Sequence, residues 1–448
     1  MGDWREEYKR KLISAEDAAK LVKSGDRVAF TSGREALAIG LALAARKEEL
    51  KNVQILAPTP TYDFGWYDEG WQDSFNVIVR MPTGVCQEAM DARRIDFEPG
   101  TLIPFIDVSD TDLEMPEMAD VVITEVSPPD EKGFCSFGAS LWAKKRQLKN
   151  AKLRLAEVNQ NLIRTFGDNY IHISEIDYFV EHVSSGRPMG AGSLAGRELR
   201  EPEPYLRTIA EICSTLIRDG DTLQIGVGRT TEQLVRLGLL DGKSDIGWHS
   251  EATPPGVITL VCEGVINGSR KTINQYKAVV TSLGGGSREE MTWASNNPLF
   301  WLMDVAYLED PRVIGAHDNF VAINNALMVD LTGQIAAETV GTRQIAAAGG
   351  QIPFVLGSWL SKGGRSITVL PSTYKARDGS LSSRIVPTLP AGTVVTIQRN
   401  CADYVVTEYG VAHLKGRTLR GRAAQLIAIA HPDFRSELKK EATRLFHP

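Results

Sequence analysis

Apolar residues recur along this chain in two rhythms: stripes at helical spacing, and short runs rich in valine and isoleucine. The first stripe, Ala18, Leu21 and Val22, follows Ser14, with Asp17 three residues on and Gly25 beyond it. A serine hydroxyl can cap the free amides that open a helix, and a glycine tolerates the left-handed turn that closes one. The pattern therefore predicts a helix ending near Gly25, a short strand over 27–31 and a buried helix over 36–45. Further strands are predicted at 121–126, 153–158, 222–225, 258–262, 278–282, 366–370 and 394–398, with helical stretches between them. Short buried strands alternating with helices are what parallel sheets with helical crossovers produce.

The opening pattern recurs. Leu21-Val22-Lys23-Ser24-Gly25-Asp26-Arg27-Val28 lines up with Leu216-Ile217-Arg218-Asp219-Gly220-Asp221-Thr222-Leu223, and without a gap Gly33-Arg34 then falls on Gly228-Arg229. A shared helix, Gly-Asp turn, strand and glycine loop argue for two related halves. Between them, 184–205 is rich in Ser, Gly, Pro and charge and lacks apolar periodicity, as a linker does. The expected fold is α/β: two related, open, largely parallel domains, over 1–190 and 191–448.

Composition narrows the class. With 448 residues, 43% hydrophobic and 24% charged, the chain has the make-up of an ordinary globular protein. A net charge of −6 gives no basic excess to neutralise phosphates, so nucleic acid is not an expected partner. The longest apolar run, 36–45, is half of the roughly 20 residues that span a bilayer, and the charged start, Asp3 to Glu7, does not resemble a signal peptide. Five scattered cysteines without a CxxC fit reduced thiols in a cytoplasm. The seven histidines form no HExxH or zinc-finger spacing, so no metal site is expected.

Two segments carry candidate chemistry. Gly226-Val227-Gly228-Arg229-Thr230-Thr231 follows the predicted strand 222–225 and opens a predicted helix over 232–240. Bare amides at such a place can hold an anion, or the loop is a plain strand-to-helix turn. Asp245-Ile246-Gly247-Trp248-His249-Ser250-Glu251 sets a carboxylate after the second strand of the βαβ unit, at the carboxyl edge where ligands bind. Glu251 there is a base, a sugar-hydroxyl ligand, a nucleophile or a solvated surface residue. Gly284-Gly285-Gly286, Gly349-Gly350 and Gly363-Gly364 offer further close backbone approaches, and Asn296-Asn297-Pro298 reads as a turn whose amide can donate to a bound oxygen.

An ordered series of segments resembles the acetyl-CoA hydrolase/transferase family over nearly the whole chain, in the branch of 4-hydroxybutyrate and butyryl-CoA:acetate CoA-transferases. The series is Ser127-Pro128-Pro129-Asp130, Ala156-Glu157-Val158-Asn159, Ile171-His172-Ile173-Ser174-Glu175, Gly226-Val227-Gly228, His249-Ser250-Glu251, Gly349-Gly350-Gln351, Pro371-Ser372-Thr373, Ser383-Arg384-Ile385-Val386-Pro387, Glu408-Tyr409-Gly410 and Ala430-His431-Pro432-Asp433. The resemblance implies a CoA-transferase fold with Glu251 as nucleophile and a covalent glutamyl-CoA thioester. It implies CoA contacts from Gly226, Val227, Gly228, Arg229, Thr230, Gly349, Gly350 and Lys375. It further implies oxyanion donors at the Gly350 amide and Asn296, with Asn297 as the other candidate. The implied partners are acyl-CoA and a short-chain carboxylic acid as substrates, with no resident cofactor, in a homodimer or homotetramer. Some positions depart from the family pattern: Arg229 replaces a small residue, Thr231 a proline and Pro353 an aspartate, and Asn159-Gln160 lacks the usual proline. A hydrolase on the same fold and a non-catalytic acyl-CoA-binding protein are the rival readings, with a nicotinamide enzyme suggested by the glycine loop alone.

Overall fold

The computed structural model describes residues 3–33, 35–100, 119–182, 201–376 and 378–447. The chain divides into two compact units, one of residues 1–197 with 279–307 and the other of 198–278 with 308–448. The expected boundary at 190/191 and most of the expected linker lie outside the described residues.

In the first unit, α1 (Ala15–Lys20) starts where the Ser14 hydroxyl accepts from the Asp17 amide at 3.0 Å. Strand β1 (Arg27–Phe30) follows, then α2 (Leu37–Ala44), a helix apolar nearly all round and buried on most of its surface. Gly40 lets it press on Phe64, since a Cβ there would lie 2.4 Å from the ring. The other strands are β2 (Val53–Ala57), β3 (Phe75–Val79), β4 (Asp96–Phe97), β5 (Val121–Val126), β6 (Leu153–Val158) and β7 (Tyr178–Glu181). They form a seven-stranded sheet in the order β7-β6-β5-β1-β2-β3-β4, parallel throughout. All six residues of β5 are buried, as a central strand covered on both faces requires.

The second unit repeats the plan. It contains α3 (Pro204–Ser214), β8 (Thr222–Ile225), α4 (Thr231–Leu234), β9 (Gly247–Ala252), α5 (Val257–Cys262), β10 (Phe320–Asn325), α6 (Gln351–Leu360), β11 (Arg365–Val369), β12 (Tyr404–Thr407) and β13 (Gly410–His413). Its strands run β13-β12-β11-β10-β8-β9, parallel except for the last hairpin, β12–β13. The repeat seen in the sequence is matched bond for bond. The Asp26 side chain accepts from the Lys23 amide at 2.7 Å, and Asp221 from Arg218 at 2.6 Å. Gly25 and Gly220 both sit in the left-handed region, at φ 85° and 82°, where a side chain would be strained. The Asp26 carbonyl accepts from Gln54 and that of Asp221 from Gly247, both at 2.9 Å.

Three expected elements differ. Residues 258–262 belong to helix α5, not a strand: left-handed Gly256 turns the chain after Pro254-Pro255, and Val257, Ile258 and Val261 are buried at helical spacing. A short apolar run fits either state, and its flanks decide. Segment 394–398 makes one isolated bridge, Ile335 to Ile397, rather than a ladder. The helix expected over 232–240 is the single turn α4, followed by further turns.

Candidate active site

Glu251 is the penultimate residue of β9, at the carboxyl end of the sheet. The parallel ladder between β8 and β9 covers only Thr222/Gly247 and Leu223/Trp248. Beyond it the Ser250 hydroxyl takes over, accepting from the Ile225 amide and donating to the Ile225 carbonyl, each at 3.3 Å. Side chains alternate along a strand, so His249 and Glu251 share the face opposite Ser250. His249 is fully buried, and its Nε2 lies 2.9 Å from the Leu308 carbonyl. Burial pushes its pKa down to about 3, so it is a neutral ring donating that proton. The bond fixes the residue just before Glu309.

Glu309 meets the Glu251 carboxyl. It is fully buried, and among the described residues no N–H or hydroxyl donates to either of its carboxyl oxygens. Glu251 keeps some exposed surface. Gly350, the residue before α6, packs against both: a Cβ on it would lie 2.7 Å from Glu251 Oε2 and 2.8 Å from Glu309 Oε1. Burial raises both carboxyls above their usual range, and Glu309 most, because the charge of Glu251 adds to burial there. Two carboxyls in contact oppose each other's ionisation, so the pair keeps its second proton to higher pH than a lone carboxyl would. That proton rests on the more deeply buried Glu309, leaving Glu251 as the carboxylate. The start of α6 also presents free amides and the positive end of a ten-residue helix to this charge. Such an arrangement suits an attacking carboxylate beside a neutral hydrogen-bond donor.

The glycine loop is shaped by close packing on β10. A Cβ at Gly226 would lie 2.5 Å from Asn324 Oδ1, and one at Gly228 would lie 2.1 Å from Asn325 Nδ2. Asn325 in turn accepts from the Thr231 amide at 3.1 Å and donates to its hydroxyl at 2.7 Å. A proline at 231 could not make the first of these bonds, which accounts for that departure. Val227 and Arg229 are exposed on the loop, while Thr230 is buried. Arg229 lies near enough to Arg384 to lower the pKa of that guanidinium, after burial as the main cause. Arg384 stacks 5.0 Å over Tyr374, next to exposed Lys375 on the hairpin of Thr373–Lys375 with Leu381–Ser383. Arg229 and Arg384 are thus neighbours on the second unit, with Lys375 on the adjoining hairpin.

Glu251, Gly349, Gly350, the loop 226–230 and Lys375 all belong to the second unit, and of these Gly350 packs against Glu251. Asn296 belongs to the first unit, in a left-handed turn where its amide donates to the Arg164 carbonyl at 2.6 Å. Other motif carboxylates are tied by hydroxyls: Glu408 accepts from the Ser372 hydroxyl at 2.6 Å, and Glu338 from Thr396 at 2.9 Å. In the first unit Glu157 caps α2, accepting from the Ala38 and Ile39 amides at 2.8 and 3.2 Å. Glu309 was not legible in the sequence, because nothing in Leu308-Glu309-Asp310 sets it apart from a surface acid. Among the described residues no group of three or more metal-ligating side chains could hold a metal ion, and no helix is long and apolar enough to cross a membrane.

Residues 2–186 match the acetyl-CoA hydrolase/transferase N-terminal domain and residues 286–442 the C-terminal domain of that family. The chain is 40% identical to a 4-hydroxybutyrate coenzyme A transferase of Clostridium kluyveri, over 99% of this chain and all of the relative. It is 37% identical to a succinyl-CoA:cyclohexane-1-carboxylate CoA transferase of Geobacter metallireducens, over 99% and 97% of the two chains. Among solved structures, RipA from Yersinia pestis superposes with a TM-score of 0.88 at 30% identity, covering both chains fully.

Proposed function

The chain belongs to the acetyl-CoA hydrolase/transferase family, and we propose that it is a CoA-transferase working through Glu251. The reaction exchanges CoA between a short-chain acyl-CoA and a carboxylate. The Glu251 carboxylate attacks the thioester carbon, its C–O bond forming as the C–S bond breaks, to give an acyl-glutamyl anhydride and CoA thiolate. Thiolate then adds to the Glu251 carbonyl, and the acyl group leaves as a carboxylate, with a glutamyl-CoA thioester remaining. A second acid runs the steps in reverse.

The observation that carries this reading is the contact of a partly exposed carboxyl, Glu251, with a buried one, at the end of a strand where the ladder opens. A carboxylate is a weak nucleophile, so the site must hold it against the thioester and keep water from the anhydride. Binding energy from the long CoA moiety supplies that positioning. The loop 226–230, with Gly349, Gly350 and Lys375, is the proposed CoA contact, and Arg229, Arg384 and Lys375 supply charge for its phosphates. The Gly350 amide is the proposed donor at the tetrahedral stage on the substrate carbon.

The test is to incubate the protein with acyl-CoA and no acceptor acid, then add borohydride or hydroxylamine. The glutamyl thioester is electrophilic, so the label should map to the peptide containing Trp248 to Ala252. Glu251→Ala should abolish label and exchange together. A label on Glu338 or Glu408, or full exchange by Glu251→Ala, would overturn the assignment. Release of free CoA in the absence of acetate at the rate seen in its presence would show a hydrolase instead.

A further inference from the structure

Glu309 has no duty in the reaction as written above, yet it is the group in closest company with the nucleophile. Burying a carboxyl completely is costly when it is charged, and among the described residues no N–H or hydroxyl donates to this one to offset the charge. The side chain is nevertheless held in place from three sides: by the His249–Leu308 bond behind it, by Glu251 in front and by Gly350 alongside. Other titratable groups nearby do not supply a counter-charge. His249 and His317 are neutral by burial. Lys271 spends its ammonium on the Trp248 and Lys277 carbonyls, and burial brings it down to about 7. Asp310, the next residue, pairs outward with Arg312 at 2.7 Å.

We propose that Glu309 is a catalytic residue which stays protonated through the cycle and donates its carboxyl O–H to the Glu251 oxygen that becomes the oxyanion when CoA thiolate adds to acylated Glu251. The inference rests on the reading of Glu251 as nucleophile. In the resting state the same O–H is donated to the Glu251 carboxylate. Acylation of one Glu251 oxygen leaves the other as a carbonyl, still facing Glu309. As thiolate adds, the C–S bond forms and the carbonyl π pair moves onto that oxygen, where the O–H meets a full negative charge. Collapse returns the pair to the carbonyl and expels the acyl carboxylate. The proton never leaves Glu309, so the cycle balances without an added acid or base. A donor already aimed at the developing charge is the arrangement that stabilises a tetrahedral intermediate most, and a buried neutral carboxylic acid can serve as one.

The sign of the pH dependence follows. Glu309 is active while protonated, so exchange should fall as pH rises through the upper apparent pKa of the pair. It should also fall at low pH, where Glu251 takes a proton.

The experiment compares Glu309→Gln, Glu309→Leu and Glu251→Ala with the unaltered protein. Glutamyl-CoA formation is followed by borohydride trapping, exchange is measured across the pH range, and a thermal melt checks folding. Gln keeps a neutral N–H donor, so it should form the thioester within about tenfold of the original rate and lose the alkaline limb. Leu removes the donor and should slow formation by about 10²–10³-fold. If Glu309→Leu forms the thioester at the original rate, or Glu309→Gln keeps the alkaline limb, Glu309 is no donor. The pH profile of Glu309→Gln decides the matter if the leucine variant fails to fold. Label persisting in Glu251→Ala would instead sink the nucleophile reading, whatever the Glu309 variants do.

Discussion

Gly350→Ala tests the geometry of the carboxyl pair without touching either carboxyl. The backbone at this position, with φ −82° and ψ 4°, is open to alanine, so the substitution brings no conformational strain. Its added methyl would stand 2.7 Å from Glu251 Oε2 and 2.8 Å from Glu309 Oε1. An ordinary non-bonded contact is near 3.5 Å, so the carboxyls or the start of α6 must give way by roughly 0.7 Å. Glu309 is enclosed on its other sides, which leaves the partly exposed Glu251 to take up most of the shift. A misplacement of about 1 Å can cost around 10²-fold in a positioned reaction. We therefore expect exchange to drop by about 10- to 10²-fold in kcat, with unfolding free energy changed by about 1 kcal/mol or less. Steady-state exchange kinetics and a denaturant titration on the same preparation make the measurement. Exchange within about twofold of the original, in a variant that folds normally, would mean that Glu251 does not react from the position described here.

Glu251→Asp draws the carboxylate back by about one C–C bond and should lower exchange by about 10²-fold while still accepting the borohydride label, now on Asp; an unchanged rate would count against direct attack. Arg229→Ala should raise the Michaelis constant for acyl-CoA or for the acceptor acid, since an exposed guanidinium near Arg384 is placed to meet an anion; constants unchanged for every substrate would make it a bystander. Pro353→Asp puts a carboxylate into the first turn of α6, where proline is tolerated because the amide it lacks has no partner within the helix, and should shift the preference among acids in a substrate panel.

Where a signal was local, the sequence disclosed it. The Ser14 cap, the paired Gly-Asp turns and the valine-rich strands are each fixed by neighbours within a few residues, and each was legible as sequence. The glycine loop was legible as a loop, but its cause was not. Gly226 and Gly228 are small because Asn324 and Asn325, about a hundred positions away, press against them. Segment 258–262 misled because four apolar residues and a threonine fit both periodicities, and the deciding left-handed glycine lies outside the run. Glu251 stood out only through the motif around it. Its partner Glu309 carried no motif, and what gives it meaning is burial, which a tertiary fold creates and a sequence does not display.

The duplicated frame gives a context for the carboxyl proposed to react. Both units carry the same turn, and in both a residue of the second strand donates to the turn aspartate carbonyl, Gln54 in β2 and Gly247 in β9. Four residues on from that bond stand Pro58 in the first unit and Glu251 in the second. The equivalent ladders are β1–β2, whose last pair is Ala29/Leu56, and β8–β9, whose last pair is Leu223/Trp248, one rung earlier. On its other side β2 runs with β3 to Ala57, and the Pro58 carbonyl accepts from the Arg80 and Met81 amides at 3.3 and 2.7 Å. In the second unit the β8–β9 ladder stops at Trp248, and one serine hydroxyl spans what would be the next rung. The carboxyl end of a parallel strand is where free backbone groups and side chains can meet a ligand, provided the strand leaves its neighbour there. Glu251 keeps some exposed surface there, and it also meets Glu309 and the start of α6. On the reading of Glu251 as nucleophile, the same fold carries a structural end in one unit and a reactive one in the other, and the difference lies in the residue on which the second strand ends and in the shorter pairing before it.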